Sequence, residues 1–411
     1  MKAKKTLWIA FAIVLVDMLG VGILIPIIPL LFTDPSYRYH LFLAPSTGYL
    51  LLGALTALYP FMMFLAMPII GQLSDTFGRR TLLAVSLLGT AVSYVLFAIG
   101  IIFRNIPLLF LSRAFDGITG GNVAVAQAAI ADITTEEERV RGFGIISAAN
   151  GIGFILGPLI GALLSDPEIL SWFGAPTPFW FAAILSMVNM AAVLLFFPET
   201  LSVKTKHRIQ FWQAFRNIKK AFTGRGRRAL YFTAFLYQSG FAFIITFFGV
   251  FLVSRFSFGQ RNIGFLFAFV GLLLAFTQIA LTGPLSRRVS PRVVVPASFL
   301  LMSASLVGIY FIHDTLFLYL YAIPTGIGAG LGLTNLTALI STTSKDTQHG
   351  SVLGINSSVQ SFAQAIPPVF AGAIAAVFAP TTPVLFSAFI IGAAGLFFTF
   401  WATPLRRRMP W

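Results

Sequence analysis

Cysteine is absent from the sequence, and charged residues are scarce. The lack of cysteine excludes disulfide bonds, thiol catalysis and metal sites with cysteine ligands. Asp, Glu, Lys and Arg together make up 10% of the 411 residues, whereas about 25% is usual in soluble domains. Because 57% of the residues are hydrophobic, a soluble fold could not keep this composition away from its surface. We therefore exclude a soluble globular protein.

Long apolar runs fill most of the chain. They repeatedly exceed the roughly 20 residues that a helix needs to cross a bilayer core of about 30 Å. The first run, Leu7–Phe32, is too long for a signal-peptide core and is not followed by a small-residue cleavage site, so we expect it to be retained. The sequence predicts an all-α integral membrane protein with twelve transmembrane helices. The predicted spans are residues 6–32, 48–72, 80–103, 107–131, 140–165, 176–198, 228–254, 261–286, 292–312, 316–341, 350–378 and 382–403.

Lys and Arg residues lie mainly in alternate connections between these spans. If the amino terminus is cytoplasmic, 23 of the 28 basic residues lie in cytoplasmic segments, and only Arg38, Arg104, Arg255 and Arg261 lie outside. Cytoplasmic loops of membrane proteins carry the excess of positive charge. We therefore predict a multi-pass protein of the inner (plasma) membrane with both termini in the cytoplasm. The net charge of +15 then reflects topology, and no nucleic-acid partner is expected.

The longest polar interruption divides the chain near its middle. This interruption runs from Glu199 to Arg228, and we predict that its segment 209–222 forms an amphipathic surface helix. The predicted domains are a six-helix bundle over residues 1–200, a cytoplasmic linker over 201–227 and a second six-helix bundle over 228–411.

The two halves carry matching residues, which indicates a duplication. Gly71–Ser74 after the second span and Gly283–Ser286 after the eighth are 212 residues apart. An offset of 210 residues relates the fifth span to the eleventh, pairing Gly144 with Gly354 and Pro158 with Pro368. Two parallel six-span repeats related by an axis along the membrane normal are a transporter architecture.

The loop between the second and third spans has a specific order of small and charged residues. Its glycines allow two helix ends to approach closely, and Asp75 can lie at a helix N-terminus, whose dipole stabilises a carboxylate. Asp132, at the end of the fourth span, is an available partner for the arginines. We predict a cytoplasmic gate, and the alternative is a basic turn that only sets topology. The loop reads Gly71-Gln-Leu-Ser-Asp75-Thr-Phe-Gly78-Arg79-Arg80.

This loop resembles the signature of the major facilitator superfamily, Gly-x-Leu-x-Asp-x-x-Gly-Arg-Arg, at every fixed position. The copy in the second half departs from the signature. Arg287 replaces the aspartate, Ser290 the second glycine and Pro291 the first arginine. We therefore expect two unequal gates, with the first half carrying most of the specific bonds.

The fifth span contains a glycine and proline pattern that is similar to the antiporter motif of the same superfamily. Three of the glycines, spaced i, i+4, i+8, share one helix face and offer a flat surface to a close neighbour, while the proline bends the helix. Generic small-residue packing is the alternative. In the family this motif accompanies export in exchange for protons, so the resemblance implies an exporter. The residues are Gly144, Gly153, Gly157, Pro158 and Gly161, followed by Ala162 where the motif has glycine.

The first half resembles the tetracycline-resistance type of drug/proton antiporters. The loop and the fifth-span motif carry this resemblance, with Asp17–Pro29 in the first span and Leu109–Gly121 in the fourth. Over the second half the resemblance is mostly topological. Asp116 stands where the resemblance predicts glutamine or a small residue, and spans seven to twelve lack interior acidic or histidine groups. These departures argue against a metal–tetracycline chelate as the substrate.

Asp17, Arg113 and Asp116 are the ionisable residues within the predicted spans. Because a charge in lipid is costly, each is expected to face a cavity or a partner. Asp116 lies one helical turn after Arg113, so the two can pair directly. A proton-coupled carrier needs a carboxylate whose affinity for protons changes with its solvation. We assign these three residues to proton coupling, and a purely structural salt bridge between Arg113 and Asp116 is the alternative.

Uncharged amides replace ionisable groups in the second half. An amide stripe that faced lipid would be costly, so we expect it to face protein or a cavity. With 44 Phe residues in the chain, we predict an aromatic, apolar binding surface for a lipophilic or cationic solute. The alternative is that the amides only join helices. The residues are Gln238, Gln278, Asn335, Asn356, Gln360 and Gln364, and the last three share one face of the eleventh span.

The predicted function is proton-coupled efflux of drugs or small lipophilic solutes by alternating access. No Gly-x4-Gly-Lys-Ser/Thr loop is present, so ATP-driven transport is not supported, and we expect no enzyme activity, cofactor or metal. The expected partners are the solute, protons and the lipid bilayer, and we expect a monomer. The alternatives are a facilitator or symporter for a sugar, metabolite or lipid, and a non-transporting membrane sensor, because a fold alone does not separate these.

Overall fold

The protein is helical throughout the computed structural model, which describes residues 2–134, 136–201, 209–223, 227–342 and 349–401. The helices up to residue 196 are α1 (Lys2–Leu24), α2 (Ile28–Thr33), α3 (Pro45–Phe77), α4 (Arg79–Ile102), α5 (Ile106–Thr119), α6 (Asn122–Ile133), α7 (Glu136–Leu164) and α8 (Thr177–Phe196). The later helices are α9 (Gln213–Thr223), α10 (Arg228–Phe256), α11 (Gln260–Phe276), α12 (Thr282–Arg288), α13 (Pro291–Phe311), α14 (Thr315–Thr342), α15 (His349–Ala365), α16 (Pro367–Val377) and α17 (Thr382–Trp401). A π-helical turn, Thr277–Leu281, joins α11 to α12.

Eleven segments within the described ranges are long and apolar enough to cross a membrane. They coincide with eleven of the twelve predicted spans. The exception is the predicted span 107–131, which the structure divides at Gly120–Gly121 into α5, of 14 residues, and α6, of 12. Each piece is shorter than the roughly 20 residues of a crossing helix. A count of twelve therefore requires α5 and α6 to form one interrupted crossing.

Prolines account for two other interruptions. Pro26 lies between α1 and α2, and Pro367 follows Ile366 at the junction of α15 and α16. Proline lacks the backbone N–H of a helical hydrogen bond, and its ring clashes with the preceding turn. Both broken segments, Thr6–Thr33 and Gly354–Val377, are nevertheless long enough to cross a membrane.

The chain forms two compact units, of which unit 1 contains residues 1–43, 58–214 and 259–268. Within unit 1, α1 packs mainly on α7, and α4 packs on α8 and α5. Its apolar core joins Ile13 of α1, Leu87 of α4, Ala126 of α6 and Ala149 of α7, all of them buried. This core joins α1, α4 and α6, which carry Asp17, Arg79 and Asp132, to α7.

Unit 2 contains residues 44–57, 215–258 and 269–411. Within it, α13 packs on α14 and α17, and α10 packs on α17 and α15. Aromatic rings contribute to this packing, because Tyr237 stacks on Phe299 with ring centroids 4.4 Å apart. The first residues of α3 cluster with unit 2, and the first residues of α11 cluster with unit 1. The predicted domain boundaries at residues 200 and 228 stay a prediction.

Candidate functional site

A buried polar cluster lies in unit 1, where α1 meets the interruption between α5 and α6. Asp17 of α1 is 4% exposed, and Asn122, the first residue of α6, is fully buried. The Nδ2 of Asn122 donates a hydrogen bond of 3.1 Å to the Oδ1 of Asp17. Among the described residues, the other oxygen of each side chain has no hydrogen-bond partner. The carboxyl group of Asp17 therefore keeps capacity for a proton or another donor.

Arg113 and Asp116 form an ion pair on α5, as the sequence predicts. The Nη1 of Arg113 lies 3.1 Å from the Oδ2 of Asp116, and the two side chains are 3% and 4% exposed. The guanidinium group also lies 4.7 Å from the ring centroid of Phe97, a distance typical of cation–π contacts. Within the described part of the chain, the Nε and Nη2 of Arg113 have no acceptor. The cluster thus contains buried donors as well as buried acceptors that protein groups do not satisfy.

Two tyrosines border the same cluster. A Cβ atom at Gly20 of α1 would overlap the hydroxyl group of Tyr94, and one at Gly120 would lie 2.9 Å from the hydroxyl oxygen of Tyr59. Both phenols are close enough to Asp17 and Asp116 to interact electrostatically with the carboxylates. A phenol both donates and accepts hydrogen bonds. The two glycines therefore make room for two phenol groups beside the ionisable residues.

The glycines of the fifth span position α1, which carries Asp17. A Cβ atom at Gly153 would lie 2.5 Å from the Cβ of Met18, and one at Gly157 would lie 2.7 Å from the Cα of Gly22. A Cβ atom at Gly161 would lie 2.6 Å from the carbonyl oxygen of Ile23. These contacts form a continuous close surface between α7 and α1. Gly144, by contrast, has no described atom within 4 Å of its Cβ position.

The carbonyl oxygen of Pro158 and the side chain of Ala162 lie against α11, whereas the ring of Pro158 lies against Gly22 of α1. A Cβ atom at Gly264, in the part of α11 that belongs to unit 1, would lie 2.7 Å from the carbonyl oxygen of Pro158 and would also meet Ala162. Ala162, which departs from the family motif, is fully buried. The side chain that replaces the last glycine thus fills space against a glycine of another helix.

The loop between α3 and α4 forms a network around Arg79, which is 7% exposed. The Nη2 of Arg79 lies 2.7 Å from the Oδ1 of Asp75, and its Nε lies 3.2 Å from the Oδ2 of Asp132. Gly78 has a φ of 105°, which favours glycine. The predicted partners therefore meet, and all of them belong to unit 1. Their role in gating stays a prediction.

One detail of the predicted loop is wrong. Asp75 does not lie at a helix N-terminus but in the last turn of α3, Pro45–Phe77. The acid near the N-terminus of α4 is Glu199, whose Oε1 accepts a hydrogen bond of 2.9 Å from the backbone N of Arg79. The hydroxyl group of Thr200 adds a hydrogen bond of 3.2 Å to Asp132. Arg80 donates to the carbonyl oxygen of Leu194 on α8.

Five of the six amides of the second half lie on α10, α14 and α15, and the sixth, Gln278, is exposed in the π-helical turn. Gln238, Asn335 and Asn356 are each 4% exposed, whereas Gln360 and Gln364 are partly exposed. Asn335 donates to the carbonyl oxygen of Leu331 in its own helix, so this amide is satisfied locally. The Oδ1 of Asn356 is buried without a hydrogen-bond partner among the described residues. The substrate role of all five amides stays a prediction.

Sequence reasoning missed four polar residues that the structure adds to these networks. Asn122 could have been found because it is a polar residue directly after the Gly120–Gly121 pair within a predicted span. Glu199 follows Pro198 at the end of the sixth span, where an acid next to basic loops is conspicuous. Tyr59 and Tyr94 carried no signal, because tyrosines within apolar spans are ordinary packing residues.

A sequence profile of the Major Facilitator Superfamily matches residues 10–282 and 230–410. The chain belongs to the Major Facilitator Superfamily. It is 31% identical to the class C tetracycline resistance protein of Escherichia coli over 397 residues, which cover 96% of this chain and 95% of that protein. It is also 26% identical to multidrug resistance protein 2 of Bacillus subtilis, over 90% of this chain and 87% of that protein. The similarity therefore extends through the second half, beyond the first half in which the motifs lie.

Solved structures have the same fold. The human organic anion transporter MFSD10 (TETRAN) aligns with a TM-score of 0.72 and 23% identity, over 97% of this chain and all of that one. A D-xylose–proton symporter aligns with a TM-score of 0.76 and 15% identity, over 98% of each chain. The protein is thus a multi-pass membrane transporter of small molecules and not an enzyme.

Proposed function

We propose that the protein exports small lipophilic or cationic solutes in exchange for protons, by alternating access. The observation that carries this proposal is the carboxyl group of Asp17, which is buried with one oxygen unpartnered among the described residues. A second buried acid, Asp116, and the charge of Arg113 lie in the same cluster. Relatives named as tetracycline resistance and multidrug resistance proteins support export of drug-like solutes.

The proposed coupling uses the cost of burying a charge. Protonation of Asp17 removes a charge that otherwise resists occlusion in a water-poor site. Deprotonation in the opposite state restores a charge that attracts a cationic solute or Arg113. Solute and proton then stabilise different charge states of one cluster, and exchange follows. In unit 2, five amides among many aromatic rings are proposed to supply the neutral part of the substrate surface: Gln238, Asn335, Asn356, Gln360 and Gln364.

The direct test is proton release by purified protein when solute is added. We expect a lipophilic cation such as tetraphenylphosphonium to release protons from the unmodified protein. Asp17→Asn should abolish the release while the protein stays folded. Glu168→Gln, which changes an acid whose side chain is 80% exposed, is the matched control and should leave the release unchanged. Proton uptake with D-xylose would indicate a symporter, and solute flux without any proton movement would indicate a facilitator.

We also propose that both termini lie in the cytoplasm, and the absence of cysteine makes this easy to test. Ser74 is a poor labelling site because it is fully buried next to Arg79. Phe77, in the same loop, is 56% exposed. Phe42, in the connection between α2 and α3, is 75% exposed. A membrane-impermeant maleimide added to intact cells should label Phe42→Cys and not Phe77→Cys. The reverse pattern would overturn the orientation.

A further inference from the structure

Helix α9 presents a cationic face with one aromatic side chain. The face consists of Phe215, which is 43% exposed, and of the exposed side chains Arg216, Lys219 and Lys220. The opposite side of the helix packs against the protein. Ala221 is fully buried, and the Nδ2 of Asn217 donates a hydrogen bond of 3.0 Å to Ser358 of α15. The cationic face is therefore held in a fixed orientation.

Aromatic contacts place α9 at the end of a membrane-spanning helix. The ring of Phe222 lies 6.3 Å from that of Phe232 and 6.0 Å from that of Phe235. These two residues are four and seven positions into α10, which begins at Arg228. At 1.5 Å per residue, they lie only about 6 to 10 Å inside that helix. Phe222 of α9 thus packs on the first two turns of a helix that is long and apolar enough to cross a membrane, which indicates that α9 lies near a membrane surface.

The end of α17 supports the same depth. Phe397 contacts Phe232 with ring centroids 4.8 Å apart and stacks on Trp401, the last residue of α17, at 6.0 Å. Trp and Tyr are enriched at both interfaces of membrane proteins. The position of Trp401 therefore agrees with a membrane surface near this group of rings, which α9 joins through Phe222.

The charge around α9 has one sign in the sequence. Nine Lys and Arg residues lie between Lys204 and Arg228, and no Asp or Glu occurs between Thr200 and His313. A run of basic residues beside a transmembrane helix attracts anionic lipids.

We propose that the cationic face of α9 binds the phosphate headgroups of anionic phospholipids in the leaflet that it faces. Arg216, Lys219 and Lys220 pair with the phosphates, and Phe215 lies between the headgroups and the acyl chains. The depth of the helix and the exposed phenylalanine favour lipid over an acidic soluble protein as the occupant. The site is separate from the cluster at Asp17, so its test does not depend on efflux.

A single dye on α9 can report this binding. Thr223→Cys places the dye at an exposed position one turn after Lys219, in a chain that has no other cysteine. The labelled full-length protein is reconstituted into nanodiscs of phosphatidylcholine with increasing fractions of phosphatidylglycerol. We expect the emission to shift to shorter wavelength as phosphatidylglycerol increases, and high salt should weaken the shift.

Matched charge removals decide whether α9 is the site. Lys219→Gln with Lys220→Gln should weaken the apparent affinity for phosphatidylglycerol by roughly twenty-five-fold, about fivefold for each charge. Phe215→Ser should weaken it while keeping every charge. Arg288→Gln with Arg292→Gln, which removes two charges from the segment around α12 and α13, should leave it unchanged. Equal losses in both double variants, an absence of any shift, or the same shift with soluble glycerol phosphate would each overturn the proposal.

Discussion

Asn122 donates a hydrogen bond to Asp17 from the first turn of α6, directly after the interruption between α5 and α6. The interruption places an amide, and not an apolar side chain, opposite the buried acid. A buried acceptor that loses its donor costs about 1–3 kcal/mol. The bond therefore fixes the Asp17 side chain relative to the first turn of α6, next to the interruption at Gly120–Gly121.

Asn122→Leu is expected to reduce both stability and coupling. The free energy of unfolding should fall by about 1–3 kcal/mol, because the Asp17 carboxyl group loses its donor. Proton release on addition of solute should fall with it. Thermal unfolding and proton release are measured on the same preparation. The exchange Asp17→Asn with Asn122→Asp should recover part of the stability, since an amide and an acid still face each other. If Asn122→Leu matches the unmodified protein in both measurements, the bond has no role.

In unit 1, the sequence predicted contacts within one helix better than contacts between helices. The ion pair between Arg113 and Asp116 was predictable because three residues separate neighbours on one helix face. The bond between Asp17 and Asn122 was not, because 105 positions separate them and only the packing of α1 against α6 brings them together. The contact of Glu199 was not predictable for the same reason. Glu199 follows the end of α8, and 120 positions separate it from Arg79 at the N-terminus of α4.

The interruption between α5 and α6 shows how hydropathy can fail to predict a helix boundary. The run over 107–131 is apolar enough to predict one span, and hydropathy does not distinguish an intact helix from one divided at Gly120–Gly121. Both glycines keep helical φ values of −62° and −63°, so the interruption is a local distortion and not a loop. Glycine lowers the cost of such a distortion, but a pair of glycines within a span is also common packing material.

Removing only one partner of the ion pair between Arg113 and Asp116 is predicted to lower the free energy of unfolding. Asp116→Ala leaves the guanidinium group of Arg113 buried without its counter-ion and should lower the free energy of unfolding by about 3–5 kcal/mol. The exposed acid Glu168, which lies 3.5 Å from Arg261, provides the control. Glu168→Ala should cost less than about 1 kcal/mol. Thermal unfolding of both variants makes the comparison.

A double variant separates structure from coupling at this pair. Arg113→Leu with Asp116→Leu removes both buried charges, and replacing a buried ion pair by apolar residues is often close to neutral for stability. We expect this variant to fold and to lose substrate-induced proton release. If it folds and still releases protons as the unmodified protein does, the pair is only structural, and Asp17 alone carries the coupling.

The network around Arg79 is predicted to affect transport more than Arg80 does. Arg79 bonds two acids and Ser74 through its side chain, whereas Arg80 reaches one carbonyl oxygen. Arg79→Ala should lower the transport rate in proteoliposomes at least as much as its loss of folded protein explains. The transport rate of Arg80→Ala should be closer to that of the unmodified protein. Charged hydrogen bonds of this kind are worth about 1.5–3 kcal/mol. Equal rates for Arg79→Ala and the unmodified protein would remove the loop from the gating mechanism.

Glycine-to-alanine changes at two positions of the α7 motif are predicted to affect the stability of the protein differently. In a helix interior, alanine is favoured over glycine by about 1 kcal/mol. Gly144 has open space at its Cβ position, so Gly144→Ala should be neutral or stabilising. At Gly157 the new Cβ atom would lie 2.7 Å from the Cα of Gly22 and 2.9 Å from the carbonyl oxygen of Leu19. Both obstacles are backbone atoms, so Gly157→Ala should destabilise the protein by about 1–3 kcal/mol.

The same pair of variants tests whether the fifth-span motif acts through Asp17. Leu19 and Gly22 lie two and five residues after Asp17 on α1, so a helix displaced at Gly157 carries the acid away from Asn122. Gly157→Ala should therefore reduce proton release on addition of solute, and Gly144→Ala should not. Proton release is compared at temperatures well below the unfolding transition of each variant, so that lost stability does not lower the signal. A Gly157→Ala protein that unfolds early but couples normally would show that the motif stabilises the fold without positioning the proton site.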